Sequence, residues 1–286
     1  MKLSRGVLYM AASAFGFSAM GVLVKLASPR LPLSEIVFAR AIVTVVLSYA
    51  MVRRAGLSPW GNQRMSLVLR GVLGFGGLTC YYIALSRLPL ADATTLQNVT
   101  PVLTAVLAWW LIGEPISGST AAAIAFGIAG VALIIRPSGD PLDPVGIGVA
   151  MGAVVCSSFA YVTVRKLGRT EHPLVIVFYF PLVATPLTLP WMLSAFVMPR
   201  PLDWLLLLGL GIATQIGQVF LTKALMIESA SRATTVGYLQ VAFAMVWQLL
   251  VFGDLPTPWT IAGAGLILGG TLLVAQMPSW LAGRAE

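Results

Sequence analysis

Ten apolar stretches follow one another along the chain, and each is long enough to cross a lipid bilayer as a helix. An α-helix rises about 1.5 Å per residue, so about 20 residues span the hydrocarbon core. Short segments with proline, glycine and charged residues separate the stretches, and none of them could hold a soluble domain. The sequence therefore predicts an all-α integral membrane protein. The ten predicted transmembrane helices are residues 5–27, 33–52, 67–86, 90–111, 119–135, 144–164, 173–196, 203–225, 231–252 and 258–277.

The composition supports lipid as the surroundings of this chain. Of its 286 residues, 58% are hydrophobic and only 10% are charged, whereas soluble domains carry about 25% charged residues. The net charge of +8 is spread over the short segments between apolar stretches. We therefore expect a lipid bilayer as partner and no nucleic acid, because no basic patch has a soluble face to occupy.

The sequence contains no pattern typical of an enzyme or a metal site. Cys80 and Cys156 lie inside apolar stretches, and His172 is the single histidine and lies in a loop. No glycine-rich phosphate loop of the Walker type is present,. We expect no cofactor, no metal and no catalytic residues, and a chain that acts as a monomer or a weak homodimer.

Lysine and arginine residues predict the orientation, because they are enriched in cytoplasmic segments. With the N-terminus inside, twelve fall in inner segments and five in outer ones, which predicts cytoplasmic N- and C-termini. The inner set is Lys2, Arg5, Arg53, Arg54, Arg64, Arg70, Arg165, Lys166, Arg169, Lys223, Arg232 and Arg284. The outer set is Lys25, Arg30, Arg87, Arg136 and Arg200.

The two halves of the chain match each other in one constant register, without gaps. The Ala-Thr-Thr run at 93–95 matches 233–235, Gly113 matches Gly253, and Glu114 matches Asp254. We therefore predict two repeats, 1–138 and 139–286, with five helices each. Because five is odd, the second repeat enters the membrane from the opposite side. Such inverted repeats are typical of transporters that work by alternating access.

The repeated segments resemble a known family. The run Trp-Trp-Leu-Ile-Gly-Glu-Pro at 109–115, within residues 84–133, and its second copy at 224–270 resemble the EamA repeat. That repeat defines ten-helix members of the drug/metabolite transporter superfamily, and Arg40 matches an arginine common in its first copy. Val241 departs from the family pattern. The second repeat of the family usually has proline at this position, which is equivalent to Pro101 in the first repeat. The resemblance implies a carrier, with the bacterial amino-acid exporters, including those for aromatic amino acids, as the nearest branch.

Uncharged polar and aromatic residues near the middle of the predicted helices are the candidates for substrate binding, since polar groups in a membrane usually face the protein interior. Asn98 and Tyr238 are repeat equivalents, and Gln218 lies near the centre of its helix. The alternative is that such residues only form hydrogen bonds between helices. The full candidate set is Asn98, Gln218, Tyr238, Tyr82, Thr79, Ser158, Tyr161, Tyr179, Gln215 and Trp247.

An amphipathic cavity of this kind suits a zwitterion with an apolar side chain. Its carboxylate could accept hydrogen bonds from Asn98 or Gln218, and its ammonium could rest on aromatic faces. We therefore expect a secondary transporter in the bacterial inner membrane that exports a small-molecule substrate, foremost neutral or aromatic amino acids. Exporters of drug-like cations or of nucleotide-type metabolites are the alternatives.

The positions of charged residues bear on the energy source. No acidic residue lies in the middle of a predicted span, and Arg40 is the deepest charge. We expect Arg40 to be structural or to reach the membrane surface with its charged end. Proton-coupled carriers commonly keep an acidic residue or histidine in the membrane. The sequence thus favours facilitated transport, with proton antiport as the alternative.

Overall fold

The computed structural model describes residues 4–88, 96–135, 143–253 and 258–276. The secondary structure of these residues is helical, without strands. The first half contains α1 (Arg5–Ala27), α2 (Leu33–Arg54), α3 (Arg64–Arg87), α4 (Thr100–Ile112) and α5 (Gly118–Ile135). The second half contains α6 (Pro144–Leu167), α7 (Pro173–Leu193), α8 (Pro201–Ile227), α9 (Ala230–Val236), α10 (Leu239–Phe252) and α11 (Pro258–Gln276).

Most of these helices have the length and apolarity of membrane spans. Within the described ranges, seven helical segments are long and apolar enough to cross a bilayer, counting α9 and α10 as one. Three shorter apolar helices are Thr100–Ile112, Gly118–Leu133 and Ile261–Leu273. The all-helical membrane architecture is confirmed. The count of ten crossings and the cytoplasmic termini stay predictions, and residues 1–3, 277–286 and the predicted repeat boundary at 138–139 lie outside the described ranges.

The surface of the helical bundle is apolar and part of its interior is polar, which is the reverse of a soluble protein. Val46, Leu205 and Leu250 are each more than half exposed, whereas Ser13 and Thr104 are fully buried. In water, such a large apolar exterior would mark an interaction surface. Lipid makes this exterior favourable, because hydrocarbon chains then cover it.

Local sequence signals set the helix ends. Asp143 caps α6, where its carboxylate accepts hydrogen bonds from the backbone amides of Val145 at 3.1 Å and Gly146 at 3.2 Å, and the first of these chiefly lowers the pKa of that carboxyl,. Gly113 and Gly253 end α4 and α10 in left-handed conformations, with φ of 69° and 71°. Glycine adopts these angles without steric cost. The two glycines are repeat equivalents, so the two halves end equivalent helices in the same way.

Both halves also interrupt a helix at equivalent positions. Tyr238 lies in the turn between α9 and α10, and Asn98 lies in a turn between a helical turn at 96–97 and the start of α4. Pro101 lies in the first turn of α4, where its missing N–H costs nothing. The predicted ninth span is therefore two helices, and its break corresponds to the turn in the fourth span.

The packing of helices follows the same register between the repeats. Gly71 of α3 contacts Val183 of α7, and Gly211 of α8 contacts Val43 of α2. Gly71 and Gly211 are repeat equivalents, and so are Val43 and Val183. Small residues allow helices to approach closely in a membrane. The two repeats therefore pack against each other through equivalent contacts.

Polar contacts at one end of the bundle join loops that the sequence predicts to be cytoplasmic. Ser4 donates a hydrogen bond to the carboxylate of Glu228. The backbone amides of Asn62 and Gln63 both donate to Glu171 Oε1 at 2.6 Å. These contacts place the N-terminal side of α1, the α2–α3 loop, the α6–α7 loop and the α8–α9 loop at the same end.

Contacts at the other end join loops predicted to be outside. Arg30 forms an ion pair with Asp203 at 3.1 Å, and Glu35 accepts a hydrogen bond from the backbone amide of Val197 at 3.1 Å. The α1–α2 loop and the α7–α8 loop therefore share this end. The predicted grouping of these loops agrees with the structure, while the identity of the cytoplasmic end stays a prediction.

Candidate substrate cavity

A cavity of about 340 Å³ lies at the centre of the helical bundle, between residues of both halves. Pockets for small ligands usually measure about 300–1,000 Å³. A depression of about 530 Å³ beside the α2–α3 loop is larger, but only residues 49–60 line it. The central cavity is therefore the candidate site, because residues of both repeats line it.

The wall of the central cavity follows the internal repeat. Many lining residues occur as pairs of repeat equivalents, so the cavity lies where the two repeats meet. These pairs are 17 and 157, 20 and 160, 40 and 180, 78 and 218, 81 and 221, 97 and 237, 98 and 238, 100 and 240, and 101 and 241.

Four of the predicted substrate-binding residues line this cavity: Asn98, Tyr161, Gln218 and Tyr238. The Tyr238 hydroxyl donates a hydrogen bond to the backbone carbonyl of Asn98 at 2.9 Å. These repeat equivalents thus contact each other across the bundle, each at the turn that interrupts its helix. Interrupted helices at the meeting point of two repeats are the usual setting of a transporter's binding site.

Two buried arginines also line the cavity. Arg40 on α2 is 6% exposed and Arg70 on α3 is 2% exposed. Arg70 Nη2 donates to Gln218 Oε1 at 3.2 Å, and Arg70 Nε has no hydrogen-bond partner. Arg40 Nη1 contacts the Met20 sulfur at 3.8 Å. Within the described part of the chain, neither guanidinium has a carboxylate at ion-pair distance.

The two guanidinium groups contact the same aromatic ring. Arg40 Cζ lies 5.5 Å and Arg70 Cζ lies 5.1 Å from the centre of the Phe180 ring. Arg40 and Phe180 are repeat equivalents, so this contact also lies between the repeats. Cation–π contacts contribute about 0.5–2 kcal/mol, which is small against the several kcal/mol that desolvation of each charge costs. The cavity therefore holds two positive charges that are incompletely compensated.

The position predicted for Arg70 is wrong, and one of the two alternatives for Arg40 is excluded. The sequence places Arg70 in an inner segment, but it lies inside α3 and lines the cavity. Arg40 does not reach the membrane surface, because it too is buried in the cavity. Helical spacing could have identified Arg70, since it shares one face with Gly74, Gly77, Leu78 and Tyr81, which also line the cavity,.

Two other predicted residues form hydrogen bonds between helices instead of lining the cavity. Ser158 Oγ donates to the Thr100 carbonyl at 3.2 Å. Gln215 Oε1 accepts a hydrogen bond from Ser48 at 3.0 Å. Both side chains are thereby satisfied within the protein, as buried polar groups must be.

The remaining predicted residues also lie outside the cavity wall. The Tyr179 hydroxyl donates to the Trp60 carbonyl at 2.8 Å, which fixes the α2–α3 loop. Trp247 Nε1 donates to Ser18 Oγ at 3.0 Å and joins α10 to α1. Two more residues, Thr79 and Tyr82, are partly buried on α3 but do not line the cavity.

Comparisons with known proteins identify the family. The model of the EamA-like transporter family matches residues 4–136 and again residues 144–276. The chain is 36% identical over 275 residues to the pseudopaline exporter CntI of Pseudomonas aeruginosa, covering 96% of this chain and 97% of that protein. It is 32% identical over 279 residues to human solute carrier family 35 member G1, covering 91% and 75%.

More distant proteins agree with these matches. The S-adenosylmethionine uptake transporter of Rickettsia prowazekii is 25% identical over 272 residues, with 94% of this chain and 92% of that protein covered. A known crystal structure has a TM-score of 0.86 over 100% of both chains at 18% identity, which shows the fold alone. The chain is therefore a multi-pass membrane transporter of a small metabolite, and its relatives are named as transporters and not as enzymes. The resemblance to the EamA repeat is confirmed, and the chain belongs to the EamA-like transporter family.

Proposed function

We propose that this chain exports a small, carboxylate-bearing metabolite of amino-acid type across the bacterial inner membrane through the central cavity. The observation that supports this proposal best is the pair of buried arginines, Arg40 and Arg70, which line the cavity without a carboxylate partner among the described residues. A guanidinium group presents its N–H donors in a planar fork that matches a carboxylate. The cargo's carboxylate thus supplies the missing partner.

The remaining wall of the cavity suits an apolar part of the cargo. Phe17, Tyr81, Tyr161 and Phe180 offer aromatic surface, and Asn98 offers a polar amide. This combination fits the expectation of an aromatic amino acid. It disfavours a drug-like cation, because two guanidinium groups would repel a positive charge at short range.

The second arginine gives support to one alternative. A nucleotide-type cargo requires deep cationic groups for its phosphates, and by sequence Arg40 is the deepest charge. Arg70 supplies a second. A phosphate-bearing metabolite is therefore the second candidate, and a cargo panel must include one.

Relatives bear on the direction of transport. The pseudopaline exporter, at 36% identity, favours export. The S-adenosylmethionine uptake transporter, at 25% identity, moves its cargo the other way within the same family. Export is accordingly proposed from the more similar relative.

Alternating access requires that each end of the cavity can close, and a group of contacts at the predicted cytoplasmic end supports such a role. Arg165 Nε lies 2.5 Å from Glu114 Oε1, while Glu114 Oε2 accepts a hydrogen bond from the Ala230 backbone amide at 2.8 Å. Arg165 Nη1 also donates to the Met226 carbonyl at 2.8 Å. We call Glu114, Arg165, the Met226 carbonyl and the Ala230 amide the Glu114 latch. It ties the ends of α4, α6 and α8 to the start of α9.

The sequence has opposite charges at the positions equivalent to this latch in the other repeat. The positions equivalent to Glu114 and Arg165 are Asp254 and Lys25, which again have opposite charges. The Lys25 amine lies 4.1 Å from the centre of the Phe252 ring, and Asp254 lies outside the described residues. We infer that breaking and re-forming the Glu114 latch accompanies transport.

Purified protein in liposomes tests the proposal. Vesicles loaded with unlabelled L-phenylalanine or L-glutamate should take up the same labelled amino acid by saturable counterflow without a pH gradient. Asn98→Ala should reduce this uptake, whereas Ser158→Ala, which alters a neighbouring contact outside the cavity wall, should retain most of it. Absence of saturable uptake for every amino acid and phosphate-bearing metabolite tested would contradict the proposal.

A further inference from the structure

Two positive charges in one cavity favour a cargo with negative charge. Arg40 and Arg70 are both nearly inaccessible to solvent. A buried charge is costly unless a partner of opposite charge and suitable hydrogen bonds compensate it. One carboxylate can form a bidentate pair with one guanidinium group, which leaves the second arginine uncompensated.

Two other arginines that are at least partly buried are paired with a carboxylate. Arg165 is paired with Glu114 at 2.5 Å, and the 5%-exposed Arg232 is paired with Glu228 at 3.4 Å. Both lie at the end of the helical bundle that carries the Glu114 latch. Arg40 and Arg70 lie in the cavity and differ from them in lacking such a partner among the described residues.

Both arginines keep hydrogen-bonding capacity that no carboxylate among the described residues uses. Arg70 uses Nη2 for Gln218, while its Nε has no hydrogen-bond partner. Arg40 Nη1 meets only a thioether sulfur at 3.8 Å, which is a weak acceptor. Each guanidinium group can thus donate hydrogen bonds to an anionic oxygen of a ligand. It would not have to break an ion pair with a described residue to do so.

The position of Phe180 allows one small molecule to reach both arginines. Both guanidinium groups lie within 5.5 Å of the centre of its ring, and all three residues line the same cavity of about 340 Å³. A cargo that contacts Phe180 is therefore close to both cations. Among the described residues that line the cavity, none is aspartate or glutamate that could hold a cargo ammonium group.

We propose that the preferred cargo carries two anionic groups, one for Arg40 and one for Arg70, and a net negative charge. This inference rests on the proposed function and narrows its cargo from amino-acid-type metabolites in general to dianionic ones. The anionic groups are two carboxylates, or one carboxylate and one phosphate. Neutral amino acids satisfy one arginine only and bring an ammonium group toward the other.

Competition in proteoliposomes tests the inference on the unmodified protein. Counterflow of labelled L-glutamate is measured against unlabelled L-phenylalanine, L-leucine, succinate, L-glutamate and 3-phosphoglycerate. We expect succinate, L-glutamate and 3-phosphoglycerate, which each carry two anionic groups, to compete at concentrations at least tenfold lower than L-phenylalanine and L-leucine. Stronger competition by 3-phosphoglycerate than by succinate would support the inference and assign one arginine to a phosphate.

Arginine variants locate the two anionic subsites. Arg40→Gln and Arg70→Gln should each reduce the preference for succinate over L-phenylalanine by tenfold or more. Arg53→Gln and Arg64→Gln, which alter exposed arginines at the ends of the same two helices, should leave the preference unchanged. Size-exclusion profiles show whether each variant folds. If one does not, the competition series on the unmodified chain still tests the inference.

Two failures are distinguishable. If neutral amino acids are transported as well as dianions, the inference is overturned while the proposed function stands. If no compound in the panel shows saturable counterflow, the proposed function itself is overturned.

Discussion

Gln218 is the uncharged residue most directly linked to the proposed cargo site, because its side-chain oxygen accepts a hydrogen bond from Arg70. We expect Gln218→Leu to raise the KM for transport by about tenfold, since a charge-assisted hydrogen bond contributes about 1.5–3 kcal/mol. Gln215→Leu is the matched control, three residues away on α8, where Gln215 bonds to Ser48. It should lower thermal stability and leave KM nearly unchanged. Equal KM values for Gln218→Leu and the unmodified protein would contradict this role.

At the scale of single residues, sequence alone predicted only part of the site. Gln215 and Gln218 carry the same signal in the sequence, a glutamine near the middle of an apolar helix, but Gln218 lines the cavity and Gln215 bonds to Ser48 outside its wall. Their difference depends on which helix each one meets, and that is decided by packing between distant segments. Arg70 was missed because it lies near the start of an apolar stretch, where arginine usually indicates the membrane surface.

Gly127 on α5 controls how closely this helix approaches the turn at Tyr238. A Cβ built at Gly127 would collide with the Tyr238 ring, whereas a Cβ at Gly265 on α11 would meet open space. We expect Gly127→Ala to lower the thermal unfolding temperature and transport, because the ring and the Asn98 contact must shift. Gly265→Ala should leave the unfolding temperature unchanged or raise it, since alanine favours helices by up to about 1 kcal/mol over glycine. Thermal unfolding of both variants in detergent measures the difference, and an equally stable Gly127→Ala would refute this packing role.

The Glu114 latch connects four helices, so one substitution in it should change how often the predicted cytoplasmic end opens. Glu114→Gln weakens the ion pair to Arg165 and the contact to the Ala230 amide, so the predicted cytoplasmic end should open more often. In a background with both native cysteines replaced by alanine, Ala160→Cys supplies a reporter inside the cavity. Its labelling by a membrane-impermeant thiol reagent in inside-out vesicles should become several-fold faster with Glu114→Gln.

Glu171→Gln is the matched control for the latch. Glu171 lies at the same end of the bundle but accepts hydrogen bonds from the α2–α3 loop. Its substitution should leave labelling of the reporter close to the reference rate. Equal rates for Glu114→Gln and the reference would show that the latch does not close this end.

At the scale of helices and turns, the sequence predicted where the helices lie more accurately than how they are interrupted. Apolar length identifies a membrane span, because it reflects the thickness of the bilayer. The division of the ninth span at Tyr238 was missed, since Gly237 alone is a weak signal in a membrane helix. The turns at Asn98 and Tyr238 occupy equivalent positions. Comparison of the two repeats therefore gives more information about helix breaks than either repeat alone.

The cavity chemistry of the whole molecule predicts a flat pH dependence. Within the described wall of the cavity no residue is aspartate, glutamate or histidine, and guanidinium groups stay protonated far above neutral pH. Cargo carboxylates are ionised above about pH 5. Counterflow at equal pH on both sides should therefore vary less than about twofold between pH 6 and 8. A tenfold change, or a requirement for a pH gradient, would favour the proton-coupled alternative.

For the whole molecule, the repeat relates the positions that line the cavity in pairs, but it does not predict which residue types occupy them. The constant register between the repeats relates the lining positions in pairs, as it does for Asn98 and Tyr238. It does not conserve their chemistry, because Arg40 has Phe180 as its equivalent and Gln218 has Leu78. The repeat constrains the backbone and its packing, whereas each arginine of the proposed cargo site occurs in one repeat only.

Equilibrium binding of labelled L-glutamate to the purified chain tests the central claim that Arg40 and Arg70 hold the anionic groups of the cargo within the membrane. We predict saturable binding at one site per chain, lost in Arg40→Gln and in Arg70→Gln and retained in Arg64→Gln. Saturable binding that survives both cavity substitutions unchanged would contradict the account.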